Sequence, residues 1–137
     1  VCYTVEKQGK RAAVATDMGC FDDTIIRVLG QCDSVLIEAN HDINMLQVGP
    51  YPYSLKMRIL GNKGHLSNTS CADLIKEILH KDLKHLVLGH LSRENNFPQL
   101  AYRTVLDELE KTETWGTLDT RLMVASRDEP TELLKIN

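Results

Sequence analysis

Two short, nearly unbroken apolar runs constrain this chain most. Ser34-Val35-Leu36-Ile37-Glu38 and Lys84-His85-Leu86-Val87-Leu88-Gly89 each have the length of one core strand. Apolar residues at successive positions, rather than alternate ones, mark strands at the centre of a sheet with parallel neighbours. Each run also stops at an ionisable residue: Glu38 ends one and His90 directly follows the other.

The segments around these runs read as strands and helices in alternation. Val1 to Glu6 and Arg11 to Thr16 carry strand patterns on either side of Lys7-Gln8-Gly9-Lys10, and so predict a β-hairpin. Asp22 or Asp23 caps a short helix that Gly30 stops. Ala39 to Gln47 reads as loop and then a short helix, with His41 and Asp42 as its N-cap region. Gly49-Pro50-Tyr51-Pro52 interrupts regular structure, and Leu55 to Leu60 resumes a helical pattern. Asn68, Thr69 or Ser70 caps a helix through His80, with Ala72, Leu74, Ile75, Ile78 and Leu79 on its apolar face. Phe97 to about Lys111 is an amphipathic helix with Pro98 in its first turn, and Leu118 to Ser126 is a last strand. The order β-β-α-β-α-α-α-β-α-β predicts an α/β fold, a mixed sheet with helices packed against it.

A chain of 137 residues can bury roughly two-thirds of its unfolded surface, so it needs neither disulfides nor metal merely to fold. Its hydrophobic (42%) and charged (26%) fractions exclude a disordered or fibrous chain. A net charge of −3 gives no global positive field, so nucleic-acid binding requires a local basic patch. No apolar run approaches the roughly 18–20 residues of a membrane span. Cys2, Cys20, Cys32 and Cys71 form no C-x-x-C pair and read as reduced thiols of a cytoplasmic protein. The chain opens on a strand-like Val1 rather than Met, which predicts a piece of a longer protein.

Four ionisable residues fall at strand ends or in tight loops. Asp17 closes the second strand, Glu38 the third, His90 the fourth, and His65 lies in a Gly-His-Leu-Ser-Asn loop before a helix. Strand ends converge on one edge of a sheet, so these groups can share a cleft. Asp and His suit a borderline divalent ion such as zinc or manganese, and a Glu beside a His fixes its tautomer. Each residue also has an ordinary reading: Asp17 as a turn residue, Glu38 as a solvated strand end, His65 and His90 as hydrogen-bonded loop histidines. His80 and His85 read as exposed. On spacing alone the result is an α/β domain with a polar edge.

Six segments in order carry a resemblance. They are Thr16-Asp17-Met18-Gly19, Leu36 to Asp42 (Leu-Ile-Glu-Ala-Asn-His-Asp), Gly49 to Pro52, Leu55 to Ile59, Gly64 to Asn68, and Leu88 to Asn96. The set resembles metallo-β-lactamase-fold hydrolases, in particular the YycJ (WalJ)-like branch of bacterial metal-dependent nucleases. That resemblance implies residues 1–137 are a single domain, the C-terminal half of an αββα four-layer sandwich with helices on one face of the sheet. It implies two metal ions, with Asp17 and His90 as ligands, and Glu38 orienting a proton-donating His65. Ser92, Asn95 and Asn96 are the expected contacts to substrate phosphate, and nucleic acid or another phosphodiester is the expected substrate.

The H-x-H-x-D-H motif of the family is absent, since none of the five histidines forms an H-x-H pair. The expectation is therefore a metal-poor, inactive fragment whose partner is the missing N-terminal half. An exposed apolar sheet face also predicts a homodimer. A non-catalytic binding module of the same fold is the alternative function. A thiol enzyme built on Cys20 is disfavoured, because no histidine lies near it in sequence.

Overall fold

The first hairpin closes through Gln8 and Gly9, both at positive φ (52° and 73°), the left-handed pair that matches the twist of adjoining strands. In the computed structural model, which describes residues 1–137, β1 (Cys2–Lys7) pairs antiparallel with β2 (Lys10–Ala15). β3 (Ser34–Glu38), β4 (His85–Gly89) and β5 (Arg121–Val124) then add in parallel. The result is a five-stranded mixed sheet in the order β1-β2-β3-β4-β5.

Five helices lie between the strands: α1 (Asp23–Leu29), α2 (Ile43–Val48), α3 (Tyr53–Leu60), α4 (Asn68–Ile78) and α5 (Pro98–Glu110). Short polar side chains cap three of them by accepting a backbone N–H of the first turn. Asp22 caps α1, Asp42 caps α2 and Ser67 caps α4. The cap of α4 is thus one residue earlier than the sequence pattern indicates. β5 starts at Arg121 rather than Leu118, because Trp115–Thr117 forms a 3₁₀ turn whose N–H···O bonds hold Leu118 back. No helix is long and apolar enough to cross a membrane.

Strand parity sorts the side chains. Val35, Ile37, Leu86, Leu88 and Leu122 face the helices and join Leu74, Ile75 and Ile78 of α4 and Val105 and Leu109 of α5 in one core. The opposite face carries a row fixed by register: Tyr3 pairs with Val14, Val14 with Leu36, Leu36 with Val87, and Val87 with Met123. No helix covers this row, and Tyr3 stands 70% exposed. His80 and His85 are half-buried rather than exposed. α4 ends at Ile78, and the turn that follows brings the His80 ring to 3.0 Å from the Cys32 carbonyl.

Asp33 ties the strand starts together. Its N–H donates to the Arg11 carbonyl, its carbonyl accepts from Lys84 N, and its carboxylate accepts from Arg11 N at 2.8 Å and from the Lys10 ammonium at 3.3 Å. The Arg11 N–H above all, then Lys10, holds this carboxyl below its usual range against the opposing effect of burial. A depressed folded-state pKa adds stability above the unfolded value of roughly 3.9, and that stability is lost as pH falls through the folded value. Asp33→Asn is expected to cost about 1–2 kcal/mol at neutral pH. The gap between variant and parent should close on acidification below the folded-state value, as read by denaturant melts. A gap that stays constant with pH would refute the charged role.

Candidate metal centre

β2, β3 and β4 run parallel, so their C-terminal ends share one edge of the sheet. Asp17, Glu38 and His90 sit at those ends, and His65 arrives on the loop before α4. One ligand-type atom from each of the four lies within 4.8 Å of the others.

Glu38 organises the cluster. Its side chain is fully buried. One carboxylate oxygen accepts from His65 Nδ1 at 2.5 Å and His90 Nδ1 at 2.8 Å. The other accepts from the backbone N–H groups of Met18 at 3.1 Å and Leu66 at 3.4 Å. A buried carboxylate is costly unless its lone pairs are engaged, and here both oxygens are. With Nδ1 of each ring donating to Glu38, the proton of the neutral imidazole is fixed on Nδ1 and the Nε2 lone pair is left free. Asp17 stands opposite, its carboxylate 3.9 Å from His90 Nε2 and 3.8 Å from His65 Nδ1. The family resemblance pairs Glu38 with His65; the structure adds His90 to the same oxygen.

The backbone is bent to make this possible. Asp17 (φ 55°) and His90 (φ 56°) both adopt the left-handed conformation, which costs a non-glycine residue of order 1–2 kcal/mol. Asn40 holds His90 there: its side-chain N–H donates to the His90 carbonyl at 2.9 Å. The backbone of Asn40 also donates to Leu66 O and accepts from Ser92 N, lacing the three loops together. Two glycines let the loops approach. A Cβ on Gly19 would fall 2.2 Å from the Gly61 carbonyl, and one on Gly64 would fall 2.1 Å from the Ile59 carbonyl. Asn40 was not among the residues the sequence singled out; its place two residues past Glu38 was the available signal.

Other expectations sort by direction. Asp42 does cap α2, but His41 turns inward at 1% exposure, its Nδ1 3.3 Å from the Asn40 side-chain oxygen. Burial, then the neighbouring His65, pulls the pKa of His41 down. Ser92 reaches the wall of a cavity of about 440 Å³ beside Asp17 and His65. Asn96 is buried, and its amide bonds the Ala39 carbonyl and pairs reciprocally with Asn68. Asn95 is buried at 1% exposure. Cys20 is exposed, with the Asn62 carbonyl 3.7 Å from its sulfur.

A mixed sheet covered by helices on one side, with carboxylate and imidazole groups gathered at its parallel edge, is consistent with one half of an αββα sandwich. No protein-family model matches the chain. It is 37% identical over 134 residues to a Streptococcus pneumoniae protein named exodeoxyribonuclease WalJ, a match covering 98% of this chain and 50% of that protein. It is 35% identical over 109 residues to a Bacillus anthracis protein named exodeoxyribonuclease YycJ, covering 80% of this chain and 41% of that protein. Its homologues are thus WalJ/YycJ proteins, a metallo-β-lactamase-fold family. The chain spans about half the length of the curated relatives it matches.

The shared carboxylate makes a specific prediction. Glu38→Gln offers one acceptor oxygen where four donors point, and is expected to destabilise the fold by about 2–4 kcal/mol. In the parent, ¹⁵N imidazole spectra at mildly alkaline pH should report the Nδ1–H tautomer for both His65 and His90, and the variant should lose that uniformity. Tautomers that do not change would show that Glu38 does not set them.

Proposed function

We propose that this chain is the C-terminal half of a metal-dependent nuclease that hydrolyses DNA phosphodiesters from an end. One observation carries the reading: buried Glu38 engages Nδ1 of both His65 and His90, and the Asp17 carboxylate lies 3.9 Å from the His90 Nε2 that this leaves free. The names of the WalJ and YycJ relatives support the nuclease activity and the DNA substrate.

The donor set fits a borderline divalent ion, zinc or manganese, because it joins a carboxylate with imidazole nitrogen of fixed tautomer. Asp17 and His90 are the ligands this chain supplies. Two are fewer than the three or four protein ligands such sites take, so the others come from the part of the relatives that this chain does not span. When bound, an ion, or the pair the family resemblance implies, supplies charge neutralisation and a water of lowered pKa.

The remaining roles belong to side chains here. His65, as an imidazolium held by Glu38, gives its Nε2 proton to the leaving oxygen. Glu38 stabilises that imidazolium and keeps its ring in line. Ser92 meets the substrate, while Asn95 and Asn96 shape the loop that presents it. The apolar row from Tyr3 to Met123 is the surface on which the other half of the domain packs. A non-catalytic module would leave the left-handed strain at Asp17 and His90 without a use.

In the full-length protein, His65→Ala is expected to cut turnover by at least about a hundredfold with metal content kept, whereas Asp17→Ala loses both. Elemental analysis alongside oligonucleotide hydrolysis reads the two effects. Full turnover in His65→Ala would refute the proton-donor role. The isolated chain should bind little metal and self-associate through its open sheet face in sedimentation velocity, with Val14→Lys restoring the monomer. A parent chain that stays monomeric at high concentration would overturn this use of the face.

A further inference from the structure

We infer that the cavity beside Asp17 and His65 seats the end nucleotide of a DNA strand, with Arg58 and Lys63 gripping its phosphate and Tyr51 meeting its base. This rests on the nuclease reading and names how that site takes hold of its substrate. The cavity holds about 440 Å³, inside the range of roughly 300–1,000 Å³ usual for small-molecule sites. That is room for one nucleotide rather than for a duplex.

Its charge is the first argument. Arg58 comes from the last turn of α3 and Lys63 from the turn that follows, and both line this cavity. Three arginines elsewhere are held by carboxylates, Arg11 by Glu6, Arg103 by Asp107 and Arg121 by Glu132, whereas Arg27 and Arg93, like Arg58, have no acidic partner but do not line this cavity. Arg58 and Lys63 have no carboxylate partner and no hydrogen bond to their side chains. In a chain of net charge −3, two free cations in one concavity form the local basic patch that nucleic-acid binding requires. The guanidinium fork suits two phosphate oxygens, and the ammonium adds a mobile point charge.

Position is the second argument. The only acidic group on the cavity wall is Asp17, at the reactive rim, and His65 borders the same space. A phosphate held by Arg58 and Lys63 therefore lies next to the bond that His65 serves. Tyr51 stands on the wall in a segment stiffened by Pro50 and Pro52 just ahead of α3. A half-buried ring on a fixed backbone gives a base a face to stack on, without regard to its identity.

The test uses the full-length protein with Arg58→Gln, Lys63→Gln and the double variant, and Lys81→Gln as a remote control. On a single-stranded oligonucleotide, each variant should raise KM several-fold and leave kcat within about twofold. The plot of log(kcat/KM) against log salt should flatten by about 0.7 for each cation removed. Tyr51→Ala should raise KM and Tyr51→Phe should restore it. Binding of a fluorescein-labelled oligonucleotide in EDTA reads the same grip without turnover. A double variant that binds like the parent, or a parent that binds no oligonucleotide, overturns the clamp. A parent that binds the oligonucleotide but fails to cleave it with every divalent metal offered overturns the nuclease reading instead.

Discussion

Everything at the edge of this sheet depends on one buried carboxylate. Glu38 ends the central strand, and the groups that satisfy it come from three other segments: Met18 after β2, His65 and Leu66 before α4, and His90 after β4. An ion of that kind, cut off from water, is tolerated only when such donors are in place. The same bonds that make its burial affordable fix where two imidazoles point. Stability and geometry at this edge are therefore one property: a loop that moves strips a donor from the buried charge.

That coupling explains why strain persists there. Two non-glycine residues sit in left-handed conformations within one cluster, and the hydrogen bond from Asn40 to the His90 carbonyl opposes relaxation of one of them. The close contacts at Gly19 and Gly64 serve the same end, since side chains at either position would push the Asp17 and His65 loops away from their neighbours. Rigidity at this rim comes from close backbone packing together with the bonds made by the Glu38 and Asn40 side chains.

The framework was legible in the sequence because it rests on local signals. Unbroken apolar runs marked β3 and β4, and short polar residues before apolar stretches marked the helix starts. Residues ending parallel strands are brought to one edge by topology alone, so Asp17, Glu38 and His90 could be grouped without a structure, with His65 joined to them from its tight loop before a helix. Beyond a strand end, sequence does not state which way a side chain turns. Asn95 and Asn96 read as contacts to substrate phosphate, and the structure buries both, with Asn96 meeting Asn68 across 28 positions. His41 read as part of a helix cap and became a buried ring. That Glu38 serves two histidines was equally hidden, because one of those bonds spans 52 positions.

The order of the strands in space is also their order along the chain. A ribosome delivering this segment supplies each strand directly beside the one before it, so the sheet can grow by accretion with no later strand having to insert between earlier ones. Glu38 emerges long before His65 and His90, and until they arrive its carboxylate must remain hydrated. Closure of the rim is thus a late event of biogenesis, set by when the fourth strand leaves the exit tunnel.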